Sequence, residues 1–473
     1  MIFVLSDFCI TFGETKTITM KVLTYCDNPN HAGFQKLKKS YPQIEVLPVN
    51  SKYPNGGRTN KIWAMYQYAL SCDPMEKLMF VDAHDVLFIR PIEPTFYEGQ
   101  IVFNAEKGCY PVTDYRPYFQ ETTDWQFLNS GMYYGHAKDI AKMLHLANSM
   151  MDGNAERQHP VRWDDQAACN LLFIASTLKM SMDNNCRHLQ CYSFIADEDF
   201  EYYPSALYNK KTGYFPSVLH GNGGTDMSLA ERCVETNVHW LENNWEDTVD
   251  FHKHNADNFH WFLSQDNALC RSVNEIRTFV RENGYGFGED VFATMWVSLL
   301  LNMNYRPKIM EIGVFKGQSL ALWSAIRPDA QITGVSTFAP SGDVTYNFTE
   351  EDTLFLFDRF SLNKENLNLV KGDSMDANIA HSVRDAYDMV YIDGGHEYDV
   401  CLSDLRNYAP MVKIGGYLVV DDCCNNTQVP NGWFGGIVTV TNAVRDYMAE
   451  GKEDINFKFL FSLVHIRVFR RIS

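Results

Sequence analysis

The sequence predicts an α/β protein with two sheets in series. Strand and helix signals alternate from about Met20 to Gly224, and again from about Gly288 to the end. Between them, 228–287 is helical, polar and rich in Trp, Asn and His. In both alternating regions, apolar strands run directly into paired carboxylates, as at Asp82 and Asp421. These observations divide the chain into an extension (1–19), a front α/β domain (20–226), a helical linker with lead-in (227–287) and a back domain (288–473) of doubly wound, Rossmann-like pattern.

In the front domain the first convincing strand is Lys21–Tyr25. A second at 101–103 closes at Asn104-Ala105-Glu106, and 139–151 reads as an amphipathic helix. Gly221-Asn222-Gly223-Gly224 punctuates its end. In the back domain, strands are expected at Lys308–Ile312, 331–335, Leu367–Lys371, 389–392 and 417–420, with helices between.

Composition excludes several classes of function. The 473 residues are 45% hydrophobic and 14% aromatic, which indicates folded domains with their own cores. A formal charge of -18 argues against nucleic acid and against an anionic membrane surface as partners. The twelve cysteines include no C-x-x-C pair, and Cys423 and Cys424 are adjacent, so neither a structural zinc nor a disulfide framework is expected. Scattered thiols point to a reducing, cytoplasmic setting. Met1 to Phe12 lacks the basic start and cleavage site of a signal peptide, and no run reaches the roughly 20 apolar residues of a membrane span.

The front domain carries Phe80-Val81-Asp82-Ala83-His84-Asp85-Val86. A strand delivering D-x-x-D to its carboxyl end can seat a hard divalent cation. An isolated D-x-x-D is more often a solvated loop, but three features accompany it. His220 precedes a glycine-rich turn where backbone can approach phosphate. Lys61 follows Gly56-Gly57 and reads as a basic residue on a flexible loop. Asp164-Asp165 opens an apolar helix.

With Phe103-Asn104-Ala105-Glu106, Cys109-Tyr110-Pro111, Phe127-Leu128-Asn129-Ser130-Gly131, Asp164-Asp165-Gln166 and His220-Gly221-Asn222-Gly223 in order, the front domain resembles the glycosyltransferase domain of procollagen lysyl hydroxylases and collagen galactosyltransferase-like proteins. The resemblance implies a GT-A fold and Mn2+ held by Asp82, Asp85 and His220 against the diphosphate of a nucleotide sugar, a UDP-sugar by preference. Lys61, Asn222 and Gly223 would contact the donor, and Asn129 would line its pocket. Asp164 or Asp165 would orient or deprotonate the acceptor hydroxyl. Asp164 also reads as a helix N-cap, and Asn129 as a turn residue. The family's Tyr between the two metal carboxylates is His84 here, still able to stack on a base. No iron-dependent hydroxylase pattern follows, so collagen does not carry over as acceptor.

In the back domain, Lys308-Ile309-Met310-Glu311-Ile312-Gly313-Val314-Phe315-Lys316-Gly317 is a strand, a glycine turn and a helix start. Its E-x-G-x-x-x-G spacing differs from a dinucleotide fingerprint and favours S-adenosylmethionine. Asp393 ends one expected strand, and Asp421 and Asp422 the next. Neighbouring parallel strands would bring all three to one edge, a number that suits Mg2+. This half resembles class I methyltransferases of the macrocin O-methyltransferase type. The resemblance implies Asp393, Asp421 and Asp422 as Mg2+ ligands, Asp393 as proton acceptor, and Asp373 near the adenine; His396 is a second candidate base, although a His in a strand-end loop is more often structural. Glu311, Gly313 and Gly317 would form the cofactor loop. The strand 331–335 lacks the usual ribose-binding acid, and Ser336 and Thr337 follow instead. The loop 338–350 would cover the acceptor.

The combined expectation is a bifunctional enzyme that transfers a sugar to a glycan or glycoconjugate hydroxyl and O-methylates a sugar. The alternative is an active glycosyltransferase with a non-catalytic back module.

Overall fold

The computed structural model describes residues 20–53, 57–92, 94–119, 123–153, 161, 164–235, 257–287, 290–340, 346–423, 434–451 and 455–473. The extension 1–19, Gly56, the linker segment 236–256, Gly288, the loop centre 341–345 and Cys424 lie outside the described residues. The chain forms two compact units. One comprises Met1–Phe88, Ile92–Ile195 and Ser217–Asp226, and the other Ile89–Pro91, Ala196–Pro216 and Met227–Ser473. The short segments Ile89–Pro91 and Ala196–Pro216, inside the front domain by sequence, thus group with the second unit.

Strands β1 (Lys21–Tyr25), β2 (Glu45–Leu47), β3 (Lys77–Val81), β4 (Val86–Phe88), β5 (Gln100–Glu106), β6 (Phe127–His136), β7 (Lys179–Asp183) and β8 (Leu189–Cys191) belong to the first unit. A hairpin of β9 (Phe200–Tyr203) and β10 (Ala206–Asn209) follows, then β11 (Val218–His220). The main sheet has the order β2-β1-β3-β6-β5-β7, and β4-β11-β8 form a small second sheet. Alternation along β1 and β3 explains the layering. Leu23, Leu78 and Phe80 pack with Ile62, Met65, Ile140 and Leu144 on one face. Val22, Met79 and Val81 pack with Phe34 and Leu37 on the other. Both faces are covered, so β3 reads as a continuous apolar run. Each large side chain buried this way contributes about 1.5–3 kcal/mol.

Two local expectations are corrected. The strand expected at 101–103 runs to Glu106, because a register shift after Phe103 lets Asn104 to Glu106 go on pairing with β6. Lys61 is not on a flexible loop but in the helix Gly57–Ser71. Gly57 starts that helix, and Ile62 and Met65 anchor it to the sheet.

The second unit holds β12 (Lys308–Ile312), β13 (Gln331–Ser336), β14 (Leu367–Lys371), β15 (Tyr387–Ile392), β16 (Val412–Val420), β17 (Phe457–Leu463) and β18 (Ile466–Arg471) in the order β14-β13-β12-β15-β16-β18-β17. The first five are parallel, and β18 is antiparallel to both neighbours. This is the class I methyltransferase topology, with the strand order reversing between β12 and β15. Ligands bind outside the carboxyl ends at such a switch point. The lead-in is more than a connector. The helix Ala268–Asn283 is capped by Asn267, whose side chain accepts from the Cys270 amide, and ends at Gly284 in the left-handed conformation (φ 68°). Its Val273, Ile276 and Val280 enter the same core as Trp296, Trp323 and Tyr203. Among the described residues no helix is long and apolar enough to cross a membrane.

Candidate functional site

In the first unit, β3 runs straight into Asp82, whose amide donates to Gly131 O at 2.8 Å. Pairing of β4 with β11 sets His220 opposite Val86, and the Gly221 amide donates to Asp85 O at 2.7 Å. Thus Asp82, Asp85 and His220 converge, with their ligand atoms within 4.8 Å of one another. His220 Nε2 lies 3.7 Å from Asp82 Oδ2 and 3.4 Å from Asp85 Oδ1. Burial opposes the His220 proton, but Asp85 and Asp82 outweigh it and raise the imidazole pKa. Burial also works to raise Asp85, yet His220 and Lys61 hold it at about 2. Burial keeps Asp82 above its ordinary value despite Lys61 and His220.

Gly131 makes this convergence possible. A Cβ there would lie 2.2 Å from His220 Cε1 and 2.9 Å from Asp82 Oδ2. Lys61 Nζ sits 2.7 Å from Asp82 Oδ1 and 3.0 Å from Asp165 Oδ2, a buried cation bridging two carboxylates. Ser130 Oγ donates to Asp165 Oδ2 at 2.7 Å. Asp164 caps the helix Asp165–Ile174, accepting from the Ala167 amide at 2.9 Å, as its N-cap reading anticipates. Asn129 is not in a turn but inside β6, opposite Asn104, and its side chain accepts from the Gly131 amide at 2.9 Å. Gly223 takes a positive φ of 74° in the glycine turn. The His84 ring already stacks on His31, with centroids 4.0 Å apart.

A buried carboxylate without a role in the sequence reading joins this centre. Glu106 accepts from Asn222 Nδ2 at 2.7 Å and from Gln166 Nε2, and burial pushes it up to about 7. Its motif was visible, but only the tertiary fold brings the end of β5 to the glycine turn.

In the second unit, a cavity of about 680 Å3 opens at the carboxyl edge of the sheet. Gly313 (φ 98°) lets β12 turn beside β15, since a Cβ there would meet Asp393 O at 1.9 Å. Gly317 (φ 84°) starts the helix Gln318–Ile326. Ser319 Oγ donates to Glu311 Oε1, while Glu311 Oε2 is buried without a hydrogen-bond partner. Burial pushes this carboxyl up to about 7. Ser336 and Asp373 line the cavity, but both have local duties. Ser336 Oγ accepts from the Phe338 amide at 3.3 Å, and Asp373 Oδ1 from the Met375 amide at 2.9 Å.

Asp393, Asp421 and Asp422 follow β15 and β16, as those parallel neighbours dictate. Tyr391 OH donates to Asp421 Oδ2 and lies 3.2 Å from Asp393 Oδ2. Burial, then Asp421 and Asp422, raise the Asp393 pKa well above the carboxylate range. His396 Nε2 lies 2.8 Å from Asp422 Oδ2. The potential ligand atoms lying within 4.8 Å of one another are those of Asp421, Asp422 and His465. The sequence gives no cue for His465, which arrives from the turn between β17 and β18, or for Tyr391, hidden in an apolar strand.

Residues 33–247 match the family model of the PLOD GT domain, and residues 310–423 that of a methyltransferase domain. The chain is 29% identical over 214 residues to the multifunctional procollagen lysine hydroxylase and glycosyltransferase of Caenorhabditis elegans, covering 39% of this chain and 27% of that protein. It is 28% identical over 157 residues to an uncharacterized protein, R699, of Acanthamoeba polyphaga mimivirus, covering 32% and 30%. The chain therefore spans less than a third of either relative's length. Among solved structures, the SAH-bound Podospora anserina methyltransferase is 14% identical with a TM-score of 0.34, covering 47% of this chain and 97% of that one. The chain joins a front part similar to the PLOD glycosyltransferase domain, of GT-A type, to a back part similar to a methyltransferase domain of class I topology.

Proposed function

We propose that the protein is a bifunctional glycan-modifying enzyme. Its front unit transfers a sugar from a nucleotide sugar, a UDP-sugar by preference, to a hydroxyl acceptor. Its back unit O-methylates a sugar hydroxyl with S-adenosylmethionine. The observation that carries this reading is the pair of carboxylate–histidine clusters, each at the carboxyl end of a central strand in a different sheet.

In the front unit, Asp82, Asp85 and His220 offer two oxygens and a nitrogen, and Gly131 leaves the space beside them that any larger residue would fill. This donor set suits Mn2+, which when bound supplies positive charge to the donor diphosphate. Lys61 holds Asp82 and Asp165 in place and adds positive charge beside the diphosphate. Asp165, positioned by Ser130, orients the acceptor hydroxyl. Glu106, held by Asn222 and Gln166, fixes the glycine turn against the donor.

In the back unit, the buried unpaired oxygen of Glu311, in the cavity that Gly313 also lines, fits a cofactor with donor groups. S-adenosylmethionine would supply the methyl group, held by Glu311, Gly313 and Gly317. A divalent cation beside Asp421 and Asp422 would lower the pKa of a sugar hydroxyl when bound. Asp393 Oδ2, next to Tyr391 OH, accepts the hydroxyl proton.

A second reading, a non-catalytic back module, rests on one observation. β13 ends at Ser336 and Thr337 follows it; both side chains make local backbone contacts, and no acid stands there for the ribose. Mass spectrometry of products from a panel of nucleotide sugars, with and without S-adenosylmethionine, tests both. Sugar addition without methyl addition selects the second reading. Neither product overturns the proposal.

A further inference from the structure

We propose that the cation of the back unit is held by Asp421, Asp422 and His465, with Asp393 left off the metal, and that this mixed oxygen–nitrogen set takes a transition-metal ion such as Mn2+ in preference to Mg2+. The inference rests on the methyl-transfer reading only for what the cation does, not for where it binds.

The geometry of Asp421 divides the site in two. Its Oδ1 faces His465, with Nε2 at 3.2 Å, and its Oδ2 accepts from Tyr391 OH. Asp393 lies on the second side, sharing the Tyr391 hydroxyl at 3.2 Å. A cation meeting Asp421 through Oδ1 therefore has His465 and Asp422 for company, and their ligand atoms lie within 4.8 Å of one another. The Tyr391 hydroxyl is shared between Asp421 Oδ2 and Asp393 Oδ2, and Asp393 contributes no atom to the group of ligand atoms that lie within 4.8 Å of one another.

His465 is placed for this and not loosely exposed. It sits in the turn joining β17 to β18, and Cys423 donates its amide to His465 O at 2.8 Å. The rings of Phe292 and Phe434 meet the imidazole edge-on, with centroids 5.2 and 5.1 Å away, which fixes its plane. Asp421, Asp422 and His465 line the same cavity as Glu311, 2% exposed, whose Oε2 has no hydrogen-bond partner. The site thus opens where cofactor and acceptor would meet. An imidazole ligand shifts selection from Mg2+, which prefers oxygen and water, toward Mn2+ and its neighbours. With Asp393 free of metal, its carboxylate stays available to accept a proton.

The test uses the full chain carrying Asp85→Ala and His220→Gln, so that the front centre contributes no nitrogen, loaded with Mn2+ alone. Pulsed electron paramagnetic resonance should show 14N modulation from one imidazole, converting to 15N modulation when histidine is 15N-labelled. His465→Gln should lose it, and Asp393→Asn and His396→Gln should keep it. Calorimetry should give Mn2+ roughly tenfold or more tighter than Mg2+. No nitrogen coupling in the parent, coupling that survives His465→Gln, or Mn2+ binding lost in Asp393→Asn would each overturn the assignment. None of these readouts depends on methyl transfer, so failure of the catalytic reading is seen separately in the product assay.

Discussion

Gly131→Ala is the most informative single change in the front unit. The added methyl would lie 2.2 Å from His220 Cε1, 2.8 Å from His220 Nδ1 and 2.9 Å from Asp82 Oδ2. Ordinary contact begins near 3.4 Å, so something must move by about 1 Å. Strand β6 is paired on both sides, with β3 and β5, and buried along its whole length, so it resists moving. The imidazole and the carboxylate give way instead. Overpacking of this kind costs about 1–3 kcal/mol. Metal ligands tolerate displacements of only about 0.2 Å, so most of that cost falls on cation binding. At about 1.4 kcal/mol per tenfold, the Mn2+ concentration needed for half-maximal donor hydrolysis should rise roughly 5- to 150-fold. The thermal midpoint should fall by only a few degrees, on the order of 2–4 °C per kcal/mol that remains in the fold. The assay is nucleotide-sugar hydrolysis across a Mn2+ series, beside thermal unfolding of the same protein. An unchanged Mn2+ requirement, with the fold intact, would refute the placement of the cation at Asp82 and His220.

Other predictions follow from the same geometry. Asp85→Ala should abolish donor hydrolysis and transfer while the fold survives, since this carboxylate is partly exposed and outside the core; retained transfer by the folded variant removes this site. Glu311→Gln bears on pH. Burial raises the carboxyl to about 7 against an unfolded value near 4.5, so its stabilising effect is complete below about pH 4.5 and is lost as pH rises through 7. The variant should unfold at a higher denaturant concentration than the parent at pH 8, by about 3 kcal/mol at most, and similarly at pH 4.5; equal midpoints at both pH values count against a buried ionising Glu311. Asp393→Asn should lose methyl transfer by several orders of magnitude while still binding S-adenosylmethionine and leaving glycosyl transfer intact; full methylation with radiolabelled donor overturns the proton-acceptor role. A chain cut between Asp226 and Asp247 should yield a folded front piece and a destabilised back piece, because Tyr203 and Ala206 pack in the second unit's core; two equally stable pieces would contradict that packing role.

The fold class of both halves was legible in the sequence because strand identity rests on local pattern. The apolar run of β3 and the strands β12 and β14 lie where alternation and turn residues put them. That Asp82, Asp393, Asp421 and Asp422 follow the carboxyl ends of their strands was legible for the same reason. A parallel strand exports whatever follows it to a shared edge, so sequence position stands in for spatial position. The lead-in was harder to read. The helix Ala268–Asn283 is polar on average, and only its narrow apolar face, Val273, Ile276 and Val280, reveals that it belongs to a core.

What sequence alone determined, then, is which strands carry carboxylates and to which edge of their sheet. The tertiary structure decided what meets those carboxylates. Lys61 became a buried bridge between Asp82 and Asp165 because a helix brings it there, not a loop. Glu106 met the glycine turn through Asn222, 116 residues away along the chain. His465 came to Asp421 across 44 positions, carried by an antiparallel hairpin appended to the sheet. Such contacts leave no periodic trace, because they depend on how distant elements pack and not on the local spacing of residue types.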